Sequence, residues 1–266
     1  KKGETLGIVG ESGCGKSTTA RLLMDLITRD TVSLVADGRA VGRNEPGALP
    51  LKEFRRQVQM VFQDSYASLN PRLPIADSIA FAPKVHGVPA KEAEERAREL
   101  LAAVGLTEKA KARAGSLSGG QQRRLDVAVG VVGRPELLFL DEPTTGFDPE
   151  ARRHFWDLIR SLRDGGTTIV LTTHYLEEAE ALADRVAVMV AGRLVAIAPP
   201  GTLGGRAEAD AIVRWKDADG THELRTAEPT RAVAELSDRF GGEVPELTVG
   251  RPTLEDIYLS MIGAAR

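Results

Sequence analysis

The eight residues Gly10-Glu11-Ser12-Gly13-Cys14-Gly15-Lys16-Ser17 constrain this chain more than any other stretch. An apolar run (Leu6, Ile8, Val9) enters them, and a helical pattern (Thr18, Ala20, Leu22, Leu23, Leu26) leaves them. A glycine-rich loop between a strand and a helix is a phosphate cradle. Its glycines let successive backbone N–H groups turn inward, and the following helix adds the positive end of its dipole. Lys16 then reaches the β- and γ-phosphates as a point charge, and the Ser17 hydroxyl suits Mg²⁺. Gly10, Ser12, Gly13, Cys14, Gly15, Lys16, Ser17 and Thr18 are therefore the expected nucleotide-binding residues. Cys14 reads as a small filler, the alternative being a redox thiol. It is the single cysteine, so no internal disulfide framework exists.

A second pair of groups fits the same chemistry. Phe139-Leu140-Asp141-Glu142 ends an unbroken apolar run that begins at Leu137, the pattern of a strand covered on both faces. Carboxylates at the carboxyl end of such a strand stand where α/β sheets bind ligands. Asp141 would hold Mg²⁺, directly or through water, and Glu142 would polarise the water that attacks the γ-phosphate.

Leu117-Ser118-Gly119-Gly120-Gln121 follows a small-residue stretch and opens another helical pattern. In isolation Ser-Gly-Gly also suits a linker. As a glycine-backed helix start it is a second anion site, and one ATP does not easily need both from one chain. With these motifs in this order, nearly the whole chain resembles the nucleotide-binding subunit of ABC transporters. The resemblance implies that Ser118, Gly119, Gly120 and Gln121 contact the γ-phosphate held by the opposite subunit. It makes Gln63, after Val61-Phe62, the glutamine that touches Mg²⁺ and the attacking water. His174, after Leu171-Thr172-Thr173, becomes the histidine that contacts the γ-phosphate, where a lone histidine would otherwise serve as a structural hydrogen-bonder. Asp148 in Thr145-Gly146-Phe147-Asp148 matches the loop coupling two ATP sites, with Phe147 where the family often has leucine. The implied partners are a second ATP-binding subunit, like or unlike, and transmembrane permease subunits. The implied location is cytoplasmic, peripheral on the inner face of the cell membrane.

The expected fold is an α/β P-loop NTPase with a mostly parallel core sheet, an inserted helical subdomain and a small C-terminal α/β tail. Residues 1–64 are assigned to the ATPase core, 65–133 to the helical subdomain, 134–200 to the rest of the core and 201–266 to the extension. Pro89 begins a helix that Gly105 ends. Short strands are expected at Val32–Val35 and Val58–Phe62, and Asn44–Pro50 as loop. Ala151–Asp164 reads as an amphipathic helix, Thr167–Thr172 as a strand, Leu176–Ala183 as a helix, and Val186–Ala198 as a hairpin around Ala191-Gly192. The chain meets its phosphate loop almost at once after Lys1, whereas such subunits normally place antiparallel strands and an adenine-stacking aromatic residue first. A missing start is therefore expected.

At 266 residues the chain can bury a sizeable core, and a net charge of −3 gives no nucleic-acid footprint. No apolar run is long enough to span a bilayer as a helix. The two halves differ in kinship. Val61 to Arg72 resembles oligopeptide and dipeptide importer subunits, while Arg124-Leu125-Asp126-Val127-Ala128, the stretch around His174 and the tail Pro252 to Leu259 resemble drug- and polysaccharide-type exporters. The second half outweighs the first, so the reading leans to export, with a peptide importer as the alternative. A soluble ABC-type ATPase of DNA repair or chromosome structure is more distant, because those carry a long coiled coil between the two motifs.

Overall fold

The computed structural model describes residues 1–27, 34–36, 38–42, 46–62 and 70–265, with side chains through 263. Gln63 and Val32 lie outside the described residues. The chain runs through β1 (Thr5–Gly10), α1 (Lys16–Leu23), the short strands β2 (Val35–Ala36) and β3 (Arg39–Ala40), α2 (Leu51–Gln57) and β4 (Val58–Val61). Three helices follow: α3 (Ile75–Val85), α4 (Ala90–Ala103) and α5 (Gly119–Val131). Then come β5 (Leu137–Asp141), α6 (Pro149–Asp164), β6 (Thr168–Thr173), α7 (Leu176–Leu182), β7 (Arg185–Val190) and β8 (Arg193–Ala198). The chain closes with β9 (Ala211–Asp217), β10 (Gly220–Thr226), α8 (Pro229–Phe240), β11 (Thr248–Gly250) and α9 (Leu254–Ala265).

The main sheet has the order β4-β5-β6-β1-β7-β8. Its first five strands are parallel, and β8 joins antiparallel to β7. The mostly parallel sheet is as expected, and the unbroken apolar run Leu137–Leu140 forms a strand within it, covered on both faces. Ala191 and Gly192 both take positive φ, 47° and 77°, as a tight turn with the right twist requires. The order places β5, β6 and β1 side by side, so the residues leaving their carboxyl ends converge on one edge of the sheet.

On one face, α3, α4, α5 and α6 share a single apolar cluster with the sheet, including Ile75, Ile79, Leu101, Leu125, Leu138, Ile159 and Leu171. Ser118 and Gln121 begin α5 with a reciprocal capping box: Gln121 N donates to Ser118 Oγ at 3.4 Å, and Ser118 N donates to Gln121 Oε1 at 3.1 Å. Asp148 caps α6 by accepting from Ala151 N at 2.9 Å. The last segment builds its own three-stranded sheet, β10-β9-β11, under α8. Leu203 and Leu254 join it to the main body, packed with Val9, Ala179, Val186 and Val188.

Three local features differ from expectation. Helix α1 stops at Leu23, and Leu26 is exposed rather than on its apolar stripe. Asp25 takes φ 54°, a left-handed conformation that Asp tolerates and a continuing helix does not. Helix α2 was not foreseen, because only Phe54 of its seven residues is buried. The strand expected at Val58–Phe62 ends one residue early, at Val61.

Candidate nucleotide site

Gly10 leaves β1 against Cys14 and the backbone of β7. A Cβ there would stand 2.5 Å from Cys14 Sγ and 2.5 Å from Met189 O, so no larger residue fits. Cys14 is buried under the loop, as a filler would be. Gly15 precedes α1 with φ 103°, and no side chain caps that helix. The first N–H groups of α1 are thus left for another acceptor.

Lys16 is only 5% exposed. Its Nζ donates to Gly10 O at 2.8 Å and Glu11 O at 3.1 Å, and lies 3.9 Å from Glu142 Oε1. Ser17 Oγ donates to Asp141 Oδ1 at 2.9 Å, and Thr172 Oγ1 donates to the same oxygen at 2.5 Å. Asp141 is buried, so these hydroxyls supply the partners that a buried carboxylate requires. His174 Nδ1 lies 3.2 Å from Glu142 Oε2, and its ring packs on Tyr175. A cleft of about 560 Å³ is lined by Ser12, Gly13, Gly15, Lys16, Ser17, Thr18, Glu142 and His174.

Glu142 has φ 44°, unusual for a residue with a side chain. Its N–H donates to Thr172 O at 3.0 Å, and its carbonyl accepts from Arg123 Nη2 at 3.3 Å. Backbone held in this region against its preference clusters at functional sites.

The structure therefore brings the phosphate loop, Glu142 and His174 to one cleft, with the buried Asp141 behind it, hydrogen-bonded to Ser17. The turn Ser118 to Gln121 and Asp148 are not among that cleft's lining residues. Thr172 and Arg123 are additions to the residues found from sequence. Arg123 was legible: it shares a four-residue spacing with Val127 and Val131, all buried, and a charge within such an apolar stripe needs buried partners.

The donor set suits magnesium. Ser17 and Asp141 present hydroxyl and carboxylate oxygens to each other across a hydrogen bond. Among the described residues no group of three or more His, Cys, Asp or Glu could hold a metal unaided. Magnesium takes a few protein oxygens together with substrate phosphates, and Ser17 with Asp141 fits that pattern.

The sequence matches the family described as ABC transporter over residues 1–145. This chain belongs to the ABC transporter ATP-binding family. It is 36% identical to the daunorubicin/doxorubicin resistance ATP-binding protein of Streptomyces peucetius, covering 98% of this chain and 84% of that one. It is 37% identical to a methionine import ATP-binding protein of Mesorhizobium japonicum, covering 100% of this chain and 72% of the other. The fold resembles cbiO1 from Clostridium perfringens, part of the ABC transporter complex cbiONQ, with a TM-score of 0.67 at 27% identity over 76% of this chain and 79% of that one. The ABC transporter ATP-binding domain binds ATP and has ATPase activity in general, and relatives named for drug resistance and for methionine import are similar to this chain.

Proposed function

We propose that this chain hydrolyses Mg-ATP as one half of a two-subunit engine that drives a membrane permease, with drug-type export the favoured direction. The observation that carries this reading is the division of the motifs. The cleft gathers Lys16, Ser17, Glu142 and His174, while the Ser118–Gln121 helix start is not part of its lining. Two such chains facing each other would complete two sites, each closed by the partner's glycine-backed helix start.

In this reading Lys16 and the loop amides hold the phosphates, and Ser17 and Asp141 hold magnesium. The metal, when bound, neutralises developing charge on the phosphoryl oxygens. Glu142 orients the attacking water, and His174, 3.2 Å from Glu142, faces the γ-phosphate. Gln63 would join the metal and the water. Closure around two ATP molecules and release after hydrolysis would supply the motion. The cytoplasmic face of the membrane is where ATP is available to such a subunit.

Drug-type export is supported by the similarity to a resistance protein over 98% of this chain and 84% of that one. The importer reading is supported by the methionine import relative and by Val61 to Arg72, which resembles peptide importers.

Glu142→Gln keeps the shape of the side chain and removes its charge. ATP binding is expected to stay within about twofold, while turnover falls by at least about 10²-fold, the low end for a group that guides proton transfer. Equilibrium nucleotide binding and steady-state phosphate release measure the two. Turnover near the parent rate would remove Glu142 from the reaction.

A further inference from the structure

Arg123 lies one turn inside α5 and is 5% exposed. A guanidinium there must spend its donors on buried acceptors. Its Nη2 donates to Asp141 O at 2.7 Å and to Glu142 O at 3.3 Å, and its Nε donates to Pro143 O at 3.0 Å. Its Nη1 donates to Phe62 O, the residue before Gln63. One side chain thus holds three consecutive carbonyls of the turn that carries both carboxylates, and the end of the neighbouring strand. Burial pulls its pKa below the ordinary guanidinium value, and Asp126, Asp141, Glu178 and Glu142 counter by favouring the charged form. Arginine remains charged under such conditions, and its planar fork can serve several acceptors in fixed directions.

We propose that Arg123 is a positioning residue that locks the Asp141–Pro143 turn to helix α5, so that the Glu142 carboxylate moves with the Ser118 end of that helix. The turn needs such a lock. Glu142 sits at positive φ, a conformation that persists only where its surroundings over-determine it. Its own amide is held from β6 by Thr172, and its carbonyl side is held from α5 by Arg123. The capping box makes the start of α5 a defined structure rather than a frayed end. A phosphate meeting that helix start would act on the same rigid element that carries Arg123. The proposal rests on the ATPase reading for its consequence, but the lock itself is a property of the chain without nucleotide.

The test uses the full chain with Arg123→Lys and Arg123→Gln. Lysine keeps the charge yet presents one donor point instead of a fork, so it cannot hold Phe62 and residues 141–143 together. Hydrogen exchange of the 142–147 amides is expected to accelerate by about tenfold or more in both variants, while α4 and β1 keep parent protection. Mg-ATP turnover is expected to fall by about 10- to 100-fold, as for loss of an orienting partner, with KM for ATP and ATP binding within about twofold. Parent-like exchange over 142–147 would overturn the proposal. So would a rate loss matched by equal losses of ATP binding and of protection in β1, because that pattern means general unfolding. A parent chain that hydrolyses no ATP would defeat the functional reading alone, with exchange still deciding whether the lock exists.

Discussion

Glu178 is fully buried on α7, four residues past His174. Trp156 Nε1 donates to its Oε1 at 3.4 Å. Burial pushes its carboxyl above the ordinary range, and Thr173, Thr144, Trp156 and Arg152 oppose that shift only in part. A carboxyl whose pKa is higher in the folded than in the unfolded chain contributes stability below the unfolded value, and that stability is lost as pH rises through the folded value. Glu178→Gln cannot ionise and keeps an acceptor for Trp156. Its thermal midpoint is expected to exceed the parent's at pH 8, with the gap closing towards pH 4, the ordinary carboxylate region at about 4.3. A variant less stable than the parent at pH 8 would contradict the burial argument. Arg123 and Glu178 share one lesson: neither belongs to a recognisable motif, and each is a charge set in an apolar stripe whose partners lie far away in sequence.

Strands and long helices were readable because their patterns are set locally. Leu137 to Leu140 fit a doubly covered strand, and Phe155, Leu158 and Ile159 on α6 mark one helix face. The hairpin at Ala191-Gly192 was readable from its turn. Helix α2 was not, since only Phe54 and the half-buried Leu51 pack it into the cluster with Phe139, Val58 and Leu49. The end of α1 was not readable either, because a backbone turn at Asp25 overrides the continuing apolar spacing. The phosphate loop, Asp141 and Glu142 were legible as motifs, but their mutual hydrogen bonds through Thr172 come from strand register, with Asp141 opposite Thr172. Among the closing elements, α9 depends on Leu254, buried against α7 and β7. Leu254→Ala is expected to destabilise the chain by about 2–5 kcal/mol in chemical denaturation. A change under about 0.5 kcal/mol, the size of an ordinary surface substitution, would mean that α9 is not docked as described.

The molecule as a whole places its phosphate loop and carboxylates at one edge of the parallel sheet, where β5, β6 and β1 end side by side. The start of α5 at Ser118, closed by its capping box, does not line that cleft. In the proposed engine one chain holds only half of each working site. The direct measurement is the specific rate of Mg-ATP hydrolysis by the purified chain over a wide range of protein concentration, in parallel with Ser118→Arg. The parent's specific activity is expected to climb with concentration and then level off. Ser118→Arg is expected to bind ATP normally as a single chain, form no ATP-driven dimers, and show little turnover at any concentration. A parent rate that stays flat while the chain remains a monomer, or a Ser118→Arg variant that dimerises and turns over like the parent, would contradict the two-chain site.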